Sequence, residues 1–499
     1  MSTHERVVWY RARREAPVAK QKPLAPSAPM DGHFDERTLR SLRRGFQTHQ
    51  SRQADLLVHP DFGIGIPVVE GADTAKKYAI GLLKLAAEIE HALMVQYLYA
   101  ADSIDPEKDT ENLAKKIRQV AIEEMGHLGT VQNLLLLLGG PQAFHMQRDV
   151  IRRKSPFNPI PLVLEPVTLL SLAKYVAAEM PEHVPEAHQA KVDELVALAR
   201  SDLGFEPRRV GTVYAMIRWL FLPKAEALAW MDLKTLVPDA PLAAHPHLEE
   251  SDFQPAAVIE AYELFGGDWG DDSSLFLLER ATDRASALAA LKLITEQGEG
   301  FERSEDAHFN EFLELVDAFE KAPFGRPIAT SPTLSPGHGG EKPTVVTALY
   351  TGKWMEVQAL QYQLLVVGLL HAMSLPRTGP DPTLAAARVE LARQAIVVMR
   401  STLLRLASHL ISLPVGATGS AAAGPSFDLD PRVAETAGVA DYLARQRAIL
   451  TRLSVLYGEI KASPEFDAGS TIADFLRVLR RQDRERGDFL DTLPPPAMV

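Results

Sequence analysis

The sequence predicts an all-α protein: a helical bundle with long insertions, followed by a second helical unit. Three observations predict it. Apolar residues recur at helical spacing through most of the chain, the pattern of helices with one buried face. Runs of alternating β-branched residues between tight-turn dipeptides are missing. Two long apolar-striped segments, 74–103 and 110–138, flank one short turn, as in the helical hairpin of a bundle.

Each element follows in order. Residues 1–70 read as an N-terminal arm and linker, whose first 53 residues hold 11 Lys and Arg against 5 acids, with a Pro-rich stretch from Lys22 to Met30. A solvated, mobile extension is expected there. Residues 71–321 read as the bundle. Its first helix is expected from Thr74 to Ser103, and Asp105-Pro106 punctuates the turn. The second runs from Thr110 to Leu138 and stops at Gly139-Gly140-Pro141, a terminator followed by a breaker. Leu172, Tyr175, Val176 and Glu179 stripe another helix, halted by Pro181. Further helices are expected over Gly211–Leu222, over Ala281–Thr295 and on the segment that carries His308. Pro238 to Ser273 is polar and turn-rich and reads as an excursion over the surface. Pro, Gly, Ser and Thr crowd residues 322–343, which read as a linker, and 344–499 form the C-terminal helical unit.

Composition narrows the chemistry. At 499 residues the chain has room for about three packing units and needs no staple to fold. It contains no cysteine. That excludes disulfides, zinc fingers, cysteine-ligated iron–sulfur clusters, thiolate haem ligation and cysteine nucleophiles. Any metal is therefore held by imidazole, carboxylate or other oxygen donors. The formal net charge of −12 argues against nucleic acid as a general partner. The N-terminal residues have no apolar segment like that of a secretory signal. The longest apolar stretch, Gln363 to Met373, is too short to span a bilayer. A soluble cytoplasmic protein without a membrane partner is the expectation, and homo-oligomerisation is compatible with it.

The informative residues are carboxylates on apolar stripes. Ile117, Val120, Glu124, Leu128, Val131 and Leu135 recur on one face of the second helix, with His127 one turn beyond Glu124. Glu123 shares its face with Lys116 and Gln119 and is expected in solvent. In the first helix Leu83, Ala87, Glu90, Met94 and Tyr97 form a second stripe. Glu90 stands about 16 residues before the turn and Glu124 about 18 after it, so at about 1.5 Å per residue antiparallel packing sets them at nearly one level. Two ionised carboxylates buried together repel and lose hydration, and a divalent or trivalent cation is the simplest remedy. Glu on one helix with Glu-x-x-His on the next is half of a di-iron or di-manganese site.

The other half has several candidates. Glu179 ends an apolar stripe. Glu296 and Glu299 follow the Ala281–Thr295 helix, where the glycines around Glu299 bend the chain and leave helix geometry unable to choose between them. His308 shares a face with Phe312, Leu315 and Phe319. Solvated glutamates and a core histidine are the plain alternatives. His371 and His409, in apolar helices, read as core residues rather than haem ligands.

The segments EIEHALMVQYLYA, AIEEMGHLGTVQNLLLLLGG, ITEQGEG and AHFNEF together resemble the ferritin-like domain family associated with iminophenyl-pyruvate dimer synthases. The resemblance covers approximately 74–320 and continues more weakly over 349–429. It implies a ferritin-like bundle in which Glu90, Glu124 and His127 match metal-ligand positions and Glu299 and His308 match a later motif. It implies a carboxylate or amide where this chain has Thr212.

The expected function is a non-haem, O2-dependent oxidase or oxygenase acting on a small organic substrate, of the amino-acid-derived kind, in specialised metabolism. Its metal is iron, dinuclear in preference to mononuclear, with manganese or zinc compatible with the same donors. Tyr97, one turn beyond Met94, is the candidate relay for a proton or electron. The alternatives are a non-catalytic metal-binding scaffold or partner subunit of a biosynthetic enzyme, and a ferroxidase.

Overall fold

The computed structural model describes residues 7–10, 66–148, 160–181, 184–230, 247–266, 278–298, 307–335, 342–416 and 421–493. Among the described residues the architecture is helical, and strands are confined to two two-stranded pairs. No described helix is long and apolar enough to cross a membrane. Chain contacts divide the protein into two compact units, one built from Met1–Leu82 and Ala215–Leu248, the other from Leu83–Tyr214 and Glu249–Val499.

In the first unit β1 (Val7–Tyr10) pairs antiparallel with β2 (Ile66–Val69). Sequence reading expected a mobile arm here. A four-residue strand gives no period to recognise, and its partner lies far along the chain. Of the remaining residues up to 65, all lie outside the described residues.

The helical hairpin forms as expected. Helix α1 spans Ala75–Asp102 and α2 spans Leu113–Gly139. Asp109 caps the start of α2 by accepting from the backbone N–H of Leu113 and Ala114 at 2.5 and 3.2 Å. At the far end Gly140 takes a positive φ of 73° and its N–H bonds to the Leu136 carbonyl, a geometry that suits glycine. Arg118 reaches across to Asp102 at 2.7 Å, tying the start of α2 to the end of α1.

The rest of the second unit surrounds that hairpin. Helix α3 (Leu169–Glu179) starts from a capping box built by Thr168 and Ser171. It is followed by α4 (Glu186–Leu203) and by α5 (Gly211–Phe221), whose first turn belongs to this unit. Helices α6 (Arg284–Gly298) and α7 (His308–Lys321) complete the surroundings of the site. Further along lie α8 (Leu349–Ser374), α9 (Pro382–Val397), α10 (Leu403–Leu410), α11 (Val439–Lys461) and α12 (Thr471–Thr492). A π-turn at Val398–Thr402 joins α9 to α10. His371 is a core residue whose Nδ1 meets Gln446 at 2.7 Å, and His409 stands edge-on to Trp354.

Two segments read as loops have buried residues where they are described. The described part of 322–343 is integrated into the unit: Phe324, Ile328, Ala329 and Thr333 are buried, and a two-residue strand at Pro332 pairs parallel with Thr344–Val345. Backbone hydrogen bonds tie Phe324, Arg326 and Ser331 to Asp105, Ser103 and Leu164, so the described part of this Pro- and Gly-rich stretch is irregular backbone held in place. Gly325 is required, because a Cβ there would meet the Val167 carbonyl oxygen at 2.3 Å. Within 238–273, residues 249–266 are also anchored. Ile259 and Leu264 are buried, and fully buried Glu263 pairs with Arg280 and Arg377.

Candidate metal centre

Five side chains named from the sequence converge in the second unit: Glu90 from α1, Glu124 and His127 from α2, Glu179 from the last residue of α3 and His308 from the first of α7. None is more than 3% exposed. Their donor atoms form two groups, Glu90–Glu124–His127 and Glu124–Glu179–His308, each with atoms within 4.8 Å of one another. Glu124 belongs to both. Its Oε2 lies 2.9 Å from His127 Nδ1 and its Oε1 lies 3.1 Å from His308 Nδ1. Glu90 Oε2 approaches His127 Nδ1 at 3.5 Å, and Glu179 Oε2 approaches His308 Nδ1 at 3.9 Å.

The outer edge of each imidazole is also fixed. His127 Nε2 faces Gln297 Oε1 at 3.1 Å, and His308 Nε2 faces Glu123 Oε2 at 2.9 Å. Both partners are acceptor oxygens, so a neutral ring with its hydrogen on Nε2 donates outward to them and presents its Nδ1 lone pair to the carboxylates. His308 Nδ1 is buried and makes no aligned hydrogen bond there. Three carboxylates and two inward imidazole nitrogens, one of which (His308 Nδ1) is buried without a hydrogen bond, could hold a divalent metal, and their chemistry fits one.

Without an ion, protons must offset the charge. Burial, then the charge of Glu124, pushes Glu90 up to about 8, and the same two causes push Glu179 up to about 7. Burial would lower His127, but the hydrogen bond and charge of Glu124 hold it up at about 10. Burial would likewise raise Glu124, yet the charges of His308 and His127 keep its carboxyl well below the ordinary range. The cluster therefore holds protons where an ion's charge would serve.

Two tyrosines brace the outer carboxylates. Tyr97, the proposed relay, donates to Glu179 Oε1 at 2.5 Å. Tyr214 donates to Glu90 Oε1. A small cavity touches the cluster, lined by Glu90, Glu124, His127 and Glu179 together with Ile294 and Gly298.

The remaining candidates part company. Glu296 pairs with Lys292 at 3.1 Å and is absent from both groups. Glu299 lies outside the described residues. The residue of this stretch that faces the cluster is Gln297, which continues the Ala290–Ile294 line at helical spacing, a signal that searching for carboxylates alone overlooks. On α5 the contributing side chain is Tyr214 rather than Thr212. Glu123, expected in solvent, is only 21% exposed because α7 lays His308 against it.

Residues 83–317 match the family model described as Ferritin-like. Among curated proteins the chain is similar to the dichlorochromopyrrolate synthase of Lentzea aerocolonigenes, 25% identical over 488 residues that cover 87% of this chain and 43% of that protein. It is also similar to the 2-imino-3-(indol-3-yl)propanoate dimerase of Chromobacterium violaceum, 25% identical over 454 residues, 79% of this chain and 38% of that protein. The chain thus spans about two-fifths of the length of these curated relatives. No solved structure matches it.

Proposed function

We propose, from the premise that residues 83–317 match the ferritin-like family model, that the chain is a non-haem, O2-dependent oxidase or oxygenase acting on a small organic substrate. The observation that carries the proposal is Glu124, with one carboxylate oxygen turned to each of two histidine Nδ1 atoms. In this reading Glu124 would be shared by two ions, with Glu90 and His127 holding one and Glu179 and His308 the other. Iron is the proposed metal, with manganese and zinc accepted by the same donors. When bound, iron would supply one-electron redox chemistry, relaying to O2 the electrons that the organic substrate gives up.

The protein's own groups then have separable tasks. The buried carboxylates and imidazoles exclude water and fix the donors before any ion arrives. Tyr97 holds its hydroxyl hydrogen against Glu179 Oε1, where a proton can pass between the two atoms. The cavity beside Glu90 and His127 is the proposed approach for small molecules. We further propose that residues 71–321 carry the chemistry, that 344–499 complete the substrate's access, that 322–343 connect them, and that 1–70 form an accessory arm. An amino-acid-derived substrate in specialised metabolism is proposed from the printed names of the two relatives. A cytoplasmic location is proposed with it.

Elemental analysis of the purified chain, followed by anaerobic Fe(II) loading and exposure to air, tests this. Two irons per chain and an oxidised di-iron absorption band support it. Metal uptake without an oxidised di-iron band favours the non-catalytic metal-binding scaffold, and absence of metal uptake refutes both readings. Sustained turnover of excess Fe(II) without organic substrate makes the protein a ferroxidase instead.

A further inference from the structure

Besides the four cluster residues and Tyr214, the cavity is lined by Leu93 of α1, by Val210 and Gly211 at the start of α5, and by Ile294, Thr295 and Gly298 of α6. It has room for about one water-sized molecule. The polar side chains among these walls are already engaged. Tyr214 donates to Glu90 Oε1, and the Thr295 hydroxyl turns back on its own helix, to the carbonyls of Leu291 and Lys292 at 3.1 and 2.8 Å. Leu93, Val210 and Ile294 are apolar and buried. Outside the cluster, the lining residues bring no ammonium, guanidinium, amide or further carboxylate side chain to hold the polar end of an organic molecule.

Gly298 is the informative wall. It is the last residue of α6, it is buried, and its φ lies outside the left-handed region. Apart from its own helix, a Cβ built on it would have one neighbour within 4 Å, Glu179 Oε2 at the ordinary contact distance of 3.6 Å. Alanine fits there and is the better helix former. Neither backbone nor packing demands glycine, in contrast to Gly325. What a side chain at 298 would take is the space beside Glu179.

We propose that the cavity is a size filter: it admits a molecule of about two or three atoms to the cluster and excludes larger organic ligands. Gly298 is the specificity-determining residue, because the missing side chain leaves the passage beside Glu179 open. The ligand class is a small diatomic or triatomic molecule, O2 in the reaction proposed above and azide as its probe. The inference rests on the metal-binding reading and adds what that site can take.

The test loads the full chain with Co(II) anaerobically and follows its visible absorption during titration with azide and, separately, with propionate. Azide should shift the wild-type spectrum, and propionate should leave it unchanged. Gly298→Ala should weaken azide binding by ~10-fold or more. Gly298→Leu should abolish the shift, with Co(II) content in both variants equal to wild type by elemental analysis. Ile294→Ala widens the same cavity and should let propionate shift the spectrum, a gain that does not depend on Gly298→Leu folding well. Circular dichroism and Tm confirm that each variant is folded. A wild-type spectrum that responds to propionate as it does to azide, or not to azide at all, overturns the filter and leaves metal binding standing. Undiminished azide binding in Gly298→Leu does the same. A chain that takes up no Co(II) overturns the metal-binding reading and the filter with it.

Discussion

The hydroxyl of Tyr97 on α1 meets Oε1 of Glu179, the last residue of α3, at 2.5 Å. The two residues are 82 positions apart in sequence, and both are buried. Tyr175, one turn before Glu179, stands edge-on to the Tyr97 ring with centroids 4.8 Å apart, so the contact is held by packing as well as by the hydrogen bond. Burial, then the charge of Glu179, drives the Tyr97 hydroxyl well above its ordinary pKa, which keeps it a donor.

Tyr97→Phe keeps the ring and deletes the donor. Glu179, buried at 2% exposure, then loses its tyrosine donor, a loss of about 1–3 kcal/mol in the apo protein. The apo Tm should fall, and affinity at the Glu179 position should drop by ~10- to 100-fold. Tyr214→Phe should do the same at the Glu90 position. If both variants titrate with metal like the wild type, the tyrosines are packing only.

Glu124→Ala removes the carboxylate that both groups share, so uptake at both positions should fail together. Metal content by mass spectrometry should fall below one ion per chain, while Glu296→Ala, whose carboxylate pairs with Lys292 outside both groups, should leave the content unchanged. Unchanged metal in Glu124→Ala would remove the proposed centre.

Stability of the apo protein should depend on pH in a direction set by the cluster. Glu90 and Glu179, raised to about 8 and about 7, bind protons more tightly folded than unfolded, as does His127, raised to about 10. Their contribution is complete below the unfolded pKa values and is lost as pH rises through the folded ones. Glu124, held low, is already ionised across that range and adds no slope there. The apo Tm should therefore decline from pH 6 to 9. The Zn(II)-loaded chain should decline less, because the ion replaces the protons. Calorimetry in buffers of different ionisation enthalpy should show proton release on metal binding.

What was legible in the sequence was whatever sat on a helix's own apolar stripe. Glu90, Glu124 and His127 interrupt or extend such stripes, and the equal distances from the Asp105-Pro106 turn gave their common level. Glu179 and His308 were legible for the same reason. Glu123 was not, because it lies on the polar face of α2, and only the approach of α7 encloses it. Tyr214 was not legible either, because it offers no carboxylate or imidazole and its partner Glu90 lies 124 residues away in the chain. Gln297 was passed over because it sits between two glutamates that draw attention as ligands. In 322–335 the Pro and Gly residues show where backbone is irregular but not that Phe324, Ile328 and Ala329 are buried, because that depends on distant partners no local pattern records.

The level of Glu90 with Glu124 depends on how the hairpin closes, and Arg118–Asp102 is the ion pair at its closed end. The Asp102 side chain is only 8% exposed while that of Arg118 is one-third exposed, so the two partners are unequal in what their removal leaves behind. Burial pushes the Asp102 carboxyl up, and Arg118, with help from the charge of Arg326, pulls it down. Arg118→Ala strands a buried carboxylate at a cost of about 1–3 kcal/mol at neutral pH. Without the arginine the folded pKa of Asp102 rises further above its unfolded value. The deficit against wild type should then grow with increasing pH and shrink toward pH 4, where a proton neutralises Asp102. Asp102→Asn in the Arg118→Ala background should recover part of the loss by removing the stranded charge. A Tm deficit that is flat in pH, or no recovery in the double variant, would show that the hairpin is closed by packing alone and that this pair does not set the register of the two glutamates.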